Sequence, residues 1–136
     1  MAFTKAEYVA QHFPDVEVGA VPCGAQILVQ LRTVKKTTAG GIILAEETKG
    51  FNNGNTQVGR VVSLGQIAFC NRESGDRWKE GVWADVGDIV VMPKYGGFRF
   101  EVPIPDSTDK AIFCVFQDVE VKMNLKSNFE SFDVLL

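Results

Sequence analysis

From Val18 onward, apolar residues fall in short runs that alternate with polar ones or stand three and four together between glycines. Runs of this length predict strands over 26–33, 58–64, 88–92, 98–102, 111–116 and 119–123. Between them lie Asn53-Gly54, Ser74-Gly75, Asp85-Val86-Gly87-Asp88 and Gly96-Gly97, where glycine permits positive φ and asparagine or aspartate closes a local turn. The pattern is that of an all-β barrel or sandwich. No internal repeat of twenty to fifty residues is present.

The two ends depart from this pattern. Thr4 and Glu7 have the spacing of a capping box, and Phe3 and Tyr8 that of its hydrophobic staple, so a helix is predicted over 5–12. Pro14 stops it and turns the chain extended. This arm either packs on the body or is an extension of no structural consequence, and nothing in it is catalytic. The stretch 125–136 is polar at Lys126-Ser127-Asn128 and apolar at Phe129, Phe132 and Val134-Leu135-Leu136. An apolar tail must dock, on the body or on a neighbour. The expected organisation is an arm at 1–17, one β domain at 18–124 and a tail at 125–136.

The connection between the first two strands is some two dozen residues long, far above the usual few for a β connection. It contains Ala39-Gly40-Gly41-Ile42-Ile43-Leu44, three large aliphatics after a glycine pair, with Lys35, Lys36, Glu46 and Glu47 around them. Two readings stand. Ile42, Ile43 and Leu44 form a buried strand of a small internal hairpin, or they are the apolar anchor of a mobile peptide that docks in a partner's groove.

Composition narrows the chemistry. The 136 residues suffice for one domain with its own core. The net charge of -3 is unlike the basic footprint of a nucleic-acid binder. Cys23, Cys70 and Cys114 are odd in number and far apart, which reads as small buried hydrophobes in a reducing cytoplasm rather than a disulfide framework. His12 is the only histidine, so a histidine-rich metal site is impossible. Met1 to Lys5 lacks the basic start and long apolar stretch expected of a signal peptide, and the sequence carries no P-loop or dinucleotide fingerprint. Asp85 and Asp88 read as turn and strand-entry residues rather than paired acid and base. No catalytic, cofactor-binding or metal-binding residue is assigned.

Several segments together resemble the GroES (ten-kilodalton chaperonin) family of co-chaperonins. Pro22 with Ile27-Leu28-Val29 resembles the opening strand, and Ala39 to Leu44 closely matches the mobile-loop motif. Gly59-Arg60-Val61-Val62-Ser63-Leu64-Gly65 is similar to the strand after that loop. Val86-Gly87-Asp88-Ile89-Val90 and Pro93-Lys94-Tyr95-Gly96-Gly97 look like the next two signatures, and Phe113, Phe116 and Asp118 fit the closing strands. Each is common alone; their joint order is specific. The chain departs from the family in having Ala25-Gln26 where an Asp-Arg pair often stands, in a longer loop, and in both termini. Additions of this kind are similar to those of virus-encoded members.

The resemblance implies a GroES-like β-barrel with a long mobile loop and a roof hairpin over 65–81. Seven copies would form a ring that caps a chaperonin double ring and encloses an unfolded client protein, in the cytoplasm (a host's, for a viral member). It implies no enzyme activity and no cofactor, ATP being bound by the partner chaperonin. Gly40 and Gly41 would bend the loop, and Ile42, Ile43 and Leu44 would bind the chaperonin. First and last strands would pair between subunits through Val18, Val21, Val119, Val121 and Met123. Trp78, on a roof hairpin with little core to bury it, would line the aperture, face the client or pack across subunits. Tyr95 would pack in the core or between strands, or face the client. No nucleic-acid or membrane partner is expected. Two rivals remain: an OB or cold-shock-like barrel binding single-stranded nucleic acid through Lys94 to Phe100, and a structural assembly protein.

Overall fold

The computed structural model describes residues 5–32, 57–93, 96–127 and 129. A helix α1 (Lys5–His12) is followed by strands β1 (Gln26–Leu31), β2 (Val58–Leu64), β3 (Ile89–Val91), β4 (Phe98–Pro103), β5 (Lys110–Gln117) and β6 (Met123–Leu125). They form a six-stranded antiparallel sheet in the order β4-β5-β1-β2-β3-β6. The fold is all-β with one short helix, as expected for the GroES-like class. The helix falls on the predicted residues, although its capping partners Phe3 and Thr4 lie outside the described ones.

Alternation along the strands gives the sheet two apolar faces. One carries Ile27, Val29 and Leu31 of β1, Val61 of β2, Val90 of β3 and Cys114 and Phe116 of β5. These close on Phe69, Met92 and Val121 to make the main core. The opposite face carries two further clusters. Leu28, Ala111 and Phe113 pack with Phe100 and Val102 of β4 and with Val16 and Val18. Val58, Ile89 and Val91 pack with Tyr8, Phe13 and Phe129.

Between these two clusters the face is polar. Gln30, buried, donates from Nε2 to the Pro14 carbonyl at 2.8 Å and accepts from Arg60 Nη2 at 2.9 Å. Arg60 in turn lies over the Phe13 ring, 6.0 Å from its centroid. The stretch from Phe13 to Val18 thus crosses this face from one apolar cluster to the other, tied to the polar pair midway. The arm packs on the body, and Phe129 of the tail joins it there, its ring 5.2 Å from that of Tyr8.

One strand prediction fails. Val119 to Met123, expected as the last strand, begins instead as a 3-10 turn at Asp118–Glu120, and pairing starts only at Met123. The cause is local: the Gln117 amide donates to Glu120 Oε1 at 2.8 Å, and the Asp118 amide to the Ala25 carbonyl at 3.0 Å. These bonds divert the backbone from the ladder before β6 reaches β3.

Candidate functional site

Three places bear on function: the base of the long β1–β2 connection, the segment between β2 and β3, and the exposed apolar residues. At the first, β1 and β2 are hydrogen-bonded neighbours, so the intervening chain leaves and re-enters the sheet at one end. The Arg32 amide donates to the Val58 carbonyl at 2.8 Å, and the Met92 amide donates to the Gln57 carbonyl at 2.7 Å. Gly40, Gly41, Ile42, Ile43 and Leu44 lie outside the described residues, as does Tyr95.

The segment after β2 is built on one strained residue. Phe69 is fully buried at φ 60°, a region that bulky side chains rarely enter. Its amide donates to Oδ2 of the buried Asp118 at 2.8 Å, which ties the segment to the 3-10 turn. Beyond it, a single bridge pairs Cys70 with Arg77, and Asn71 Oδ1 accepts from the amides of Glu73 and Ser74 to close the turn between them. The expected roof hairpin is therefore reduced to one bridge among the described residues.

Trp78 does have a core to rest on. It sits edge-on to Phe69 with ring centroids 5.6 Å apart, 4.9 Å from Trp83, and packs half-buried against the main cluster. Two open clefts flank it, and both are lined by Asn71, Trp78 and Val119. The sequence pattern missed this arrangement because its members come from irregular backbone without periodicity. The three-residue spacing from Gln117 to Glu120 was the one local sign of a turn there.

Asp118 is expected to hold the Phe69 conformation. Asp118→Ala leaves a buried amide without an acceptor, an expected loss of about 2–3 kcal/mol in urea unfolding. Asp118→Asn, which keeps an accepting oxygen, should recover most of it.

The proposed assembly residues divide by exposure. Val21 is 75% exposed, Val119 59% and Met123 50%, whereas Val18 packs against the outer cluster and Val121 is in the main core. Phe98, at 68%, adds an exposed ring on edge strand β4. Its neighbour Phe100 instead stacks on Phe113 at 5.6 Å, so the basic-aromatic run does not present both rings outward for base stacking.

Asp85 and Asp88 form a turn. Asp88 Oδ2 accepts from the Asp85 amide at 2.9 Å and from Asn124 Nδ2 at 3.0 Å, and Oδ1 pairs with Lys5 at 3.6 Å. Partial burial opposes ionisation, but these bonds and the nearby lysines outweigh it and hold the carboxyl below the usual range. The three cysteines are free: Cys23 is exposed, Cys70 half-buried and Cys114 buried, its thiol pushed up to about 11 by burial. Among the described residues, no three metal-ligating side chains converge, and no helix is long and apolar enough to cross a membrane.

Comparison with known proteins places this geometry. Residues 20–124 match the family described as Chaperonin 10 Kd subunit. The chain is 37% identical over 81 residues to Co-chaperonin GroES 1 of Rhodopirellula baltica, covering 60% of this chain and 72% of that one. It is 31% identical over 80 residues to Co-chaperonin GroES of Lactobacillus acidophilus, covering 59% and 77%. The corresponding protein of Lacticaseibacillus zeae is 34% identical over 76 residues, covering 56% and 73%. With the family match taking in β1 to β5 and all but the last residue of β6, and the motifs in their expected order, the chain belongs to the chaperonin 10 kDa subunit family.

Proposed function

We propose that this chain is a co-chaperonin that assembles into a seven-membered ring, caps a chaperonin double ring and encloses a client protein during an ATP-driven cycle. The chaperonin binds and hydrolyses the nucleotide; this chain supplies the lid. The observation that carries the reading is the family match over 20–124, with Ala39-Gly40-Gly41-Ile42-Ile43-Leu44 set between two neighbouring strands.

Magnitudes explain why a ring is needed. Burying Ile42, Ile43 and Leu44 in an apolar groove contributes roughly 1.5–3 kcal/mol each. Ordering about fifteen residues around them costs on the order of 1 kcal/mol per residue. A single copy would barely bind, or would not bind at all. Copies held on one ring turn each later contact into an intramolecular one, with an avidity gain of about a hundredfold or more. Weak individual contacts also let the lid depart when the chaperonin withdraws its grooves. Val21, Val119 and Met123 are the exposed apolar residues proposed to meet the next subunit.

Light scattering on a dilution series is the test. Seven copies of a 14.9 kDa chain give about 104 kDa, and such a species should be captured by a chaperonin double ring only in the presence of ATP. A monomer at every concentration would remove the avidity and with it this function.

A further inference from the structure

Residues 5–19 lie outside the span shared with the family, yet one of their side chains reaches both strands from which the long connection departs. Tyr8, on α1, is 1% exposed. Its hydroxyl accepts a hydrogen bond from Arg32 Nη1 at 3.0 Å, and Arg32, 6% exposed, directly follows β1, where that connection begins. Its ring packs in one cluster with Val58, which directly follows the other root, Gln57. The two roots are themselves joined by the Arg32 amide on the Val58 carbonyl.

Tyr8 is in turn held from several sides. Phe13 meets it edge-on at 5.9 Å, and Phe129 of the tail stacks on it. The Pro14 carbonyl is bound by Gln30, and Lys5 pairs with Asp88 just before β3. A buried guanidinium meets a buried phenol here, and deleting either side chain's polar group removes a buried hydrogen bond that ties α1 to the end of β1.

We infer that Tyr8 is a positioning residue. It braces the two roots of the 33–56 segment and so sets how that segment is presented to the chaperonin, without touching the chaperonin itself. This rests on the co-chaperonin reading. The physical basis is preorganisation: conformational freedom removed at the roots beforehand need not be removed on docking, and a ring repeats that gain at every subunit.

The test uses the full chain with Tyr8→Phe, which deletes only the hydroxyl, and with Arg32→Met, which keeps an apolar stem. Amide hydrogen exchange is read at Arg32 and Met92, the donors that close the two roots, and across β4 and β5 as a control. ATP-dependent capture is titrated with a bacterial chaperonin double ring. Both variants should exchange about 5- to 30-fold faster at the amide of position 32, which joins the roots through the Val58 carbonyl, and less so at Met92, whose root keeps the ring packing. Exchange in β4 and β5 should be unchanged, and capture should weaken by a factor similar to that at position 32. The double variant should add little to either single one.

Unchanged exchange at the roots, or an equal rise throughout the sheet, overturns the brace. So does local loosening with capture unaltered. If the unsubstituted chain is not captured while the roots of the variants still loosen selectively, the co-chaperonin reading falls and the brace stands.

Discussion

Ile43→Asp is expected to leave the assembled mass unchanged and to reduce ATP-dependent capture by a chaperonin at least a hundredfold. The side chain lost is worth roughly 1.5–3 kcal/mol when buried in an apolar groove. The carboxylate that replaces it must either be desolvated without a partner or keep the segment out of the groove. Because every subunit of a ring carries the same change, the deficit recurs at each contact and the avidity collapses with it. Light scattering and a pull-down with ATP read the two halves of the result separately. A lower melting temperature with loss of the assembled mass would instead show that Ile43 is part of a folded core, the hairpin alternative for Ile42, Ile43 and Leu44.

Gly65→Ala should lower the stability by about 3–5 kcal/mol, a large share of what a domain of this size possesses. Gly65 closes β2 where the chain passes directly over the entry to β1. A Cβ added there would collide with the Gly24 carbonyl oxygen and come within 2.8 Å of that of Gln26. Both are backbone atoms, and neither can swing away as a long side chain would. The Gly65 amide donates to the Gln26 carbonyl at 2.8 Å and the Ile67 amide to that of Gly24 at 3.1 Å. Separating the two segments to admit a methyl group breaks both bonds in the interior. Urea unfolding with Gly81→Ala as a control would check it, since nothing lies within 4 Å of a Cβ at Gly81 and only its positive φ penalises alanine there.

Strong periodicity and glycine punctuation made five strands legible nearly to the residue, Ile89–Val91 falling one position inside the predicted 88–92 at each end. Val58–Leu64 is as predicted, and Gln26–Leu31, Phe98–Pro103 and Lys110–Gln117 differ by one or two positions. What was not legible depends on partners distant in sequence. Tyr8 reads locally as a staple for Phe3, which lies outside the described residues, and the local pattern does not announce its packing with Phe129 and with Val58, Ile89 and Val91 across the sheet. Gln30 and Arg32 look like the solvent-facing half of an alternating strand. They are buried because the arm lies over them, and only a chain with this arm requires it. Trp78 reads as a roof residue because nothing in the surrounding pattern announces that Phe69 turns inward at positive φ.

The same corner has a spectroscopic consequence. The chain has two tryptophans, Trp78 and Trp83, and their rings lie 4.9 Å apart against Phe69. Tryptophan emission therefore reports a single locale, and the two indoles are close enough to couple electronically. The strap over the opposite face, built on Tyr8, Phe13 and Phe129, contributes no indole. A fluorescence melt would thus follow the Phe69 corner alone, while peeling of the strap would pass unseen at that wavelength and emerge in far-ultraviolet circular dichroism through the loss of α1. Superimposable curves from the two probes would mean that the strap and the core unfold as one cooperative unit.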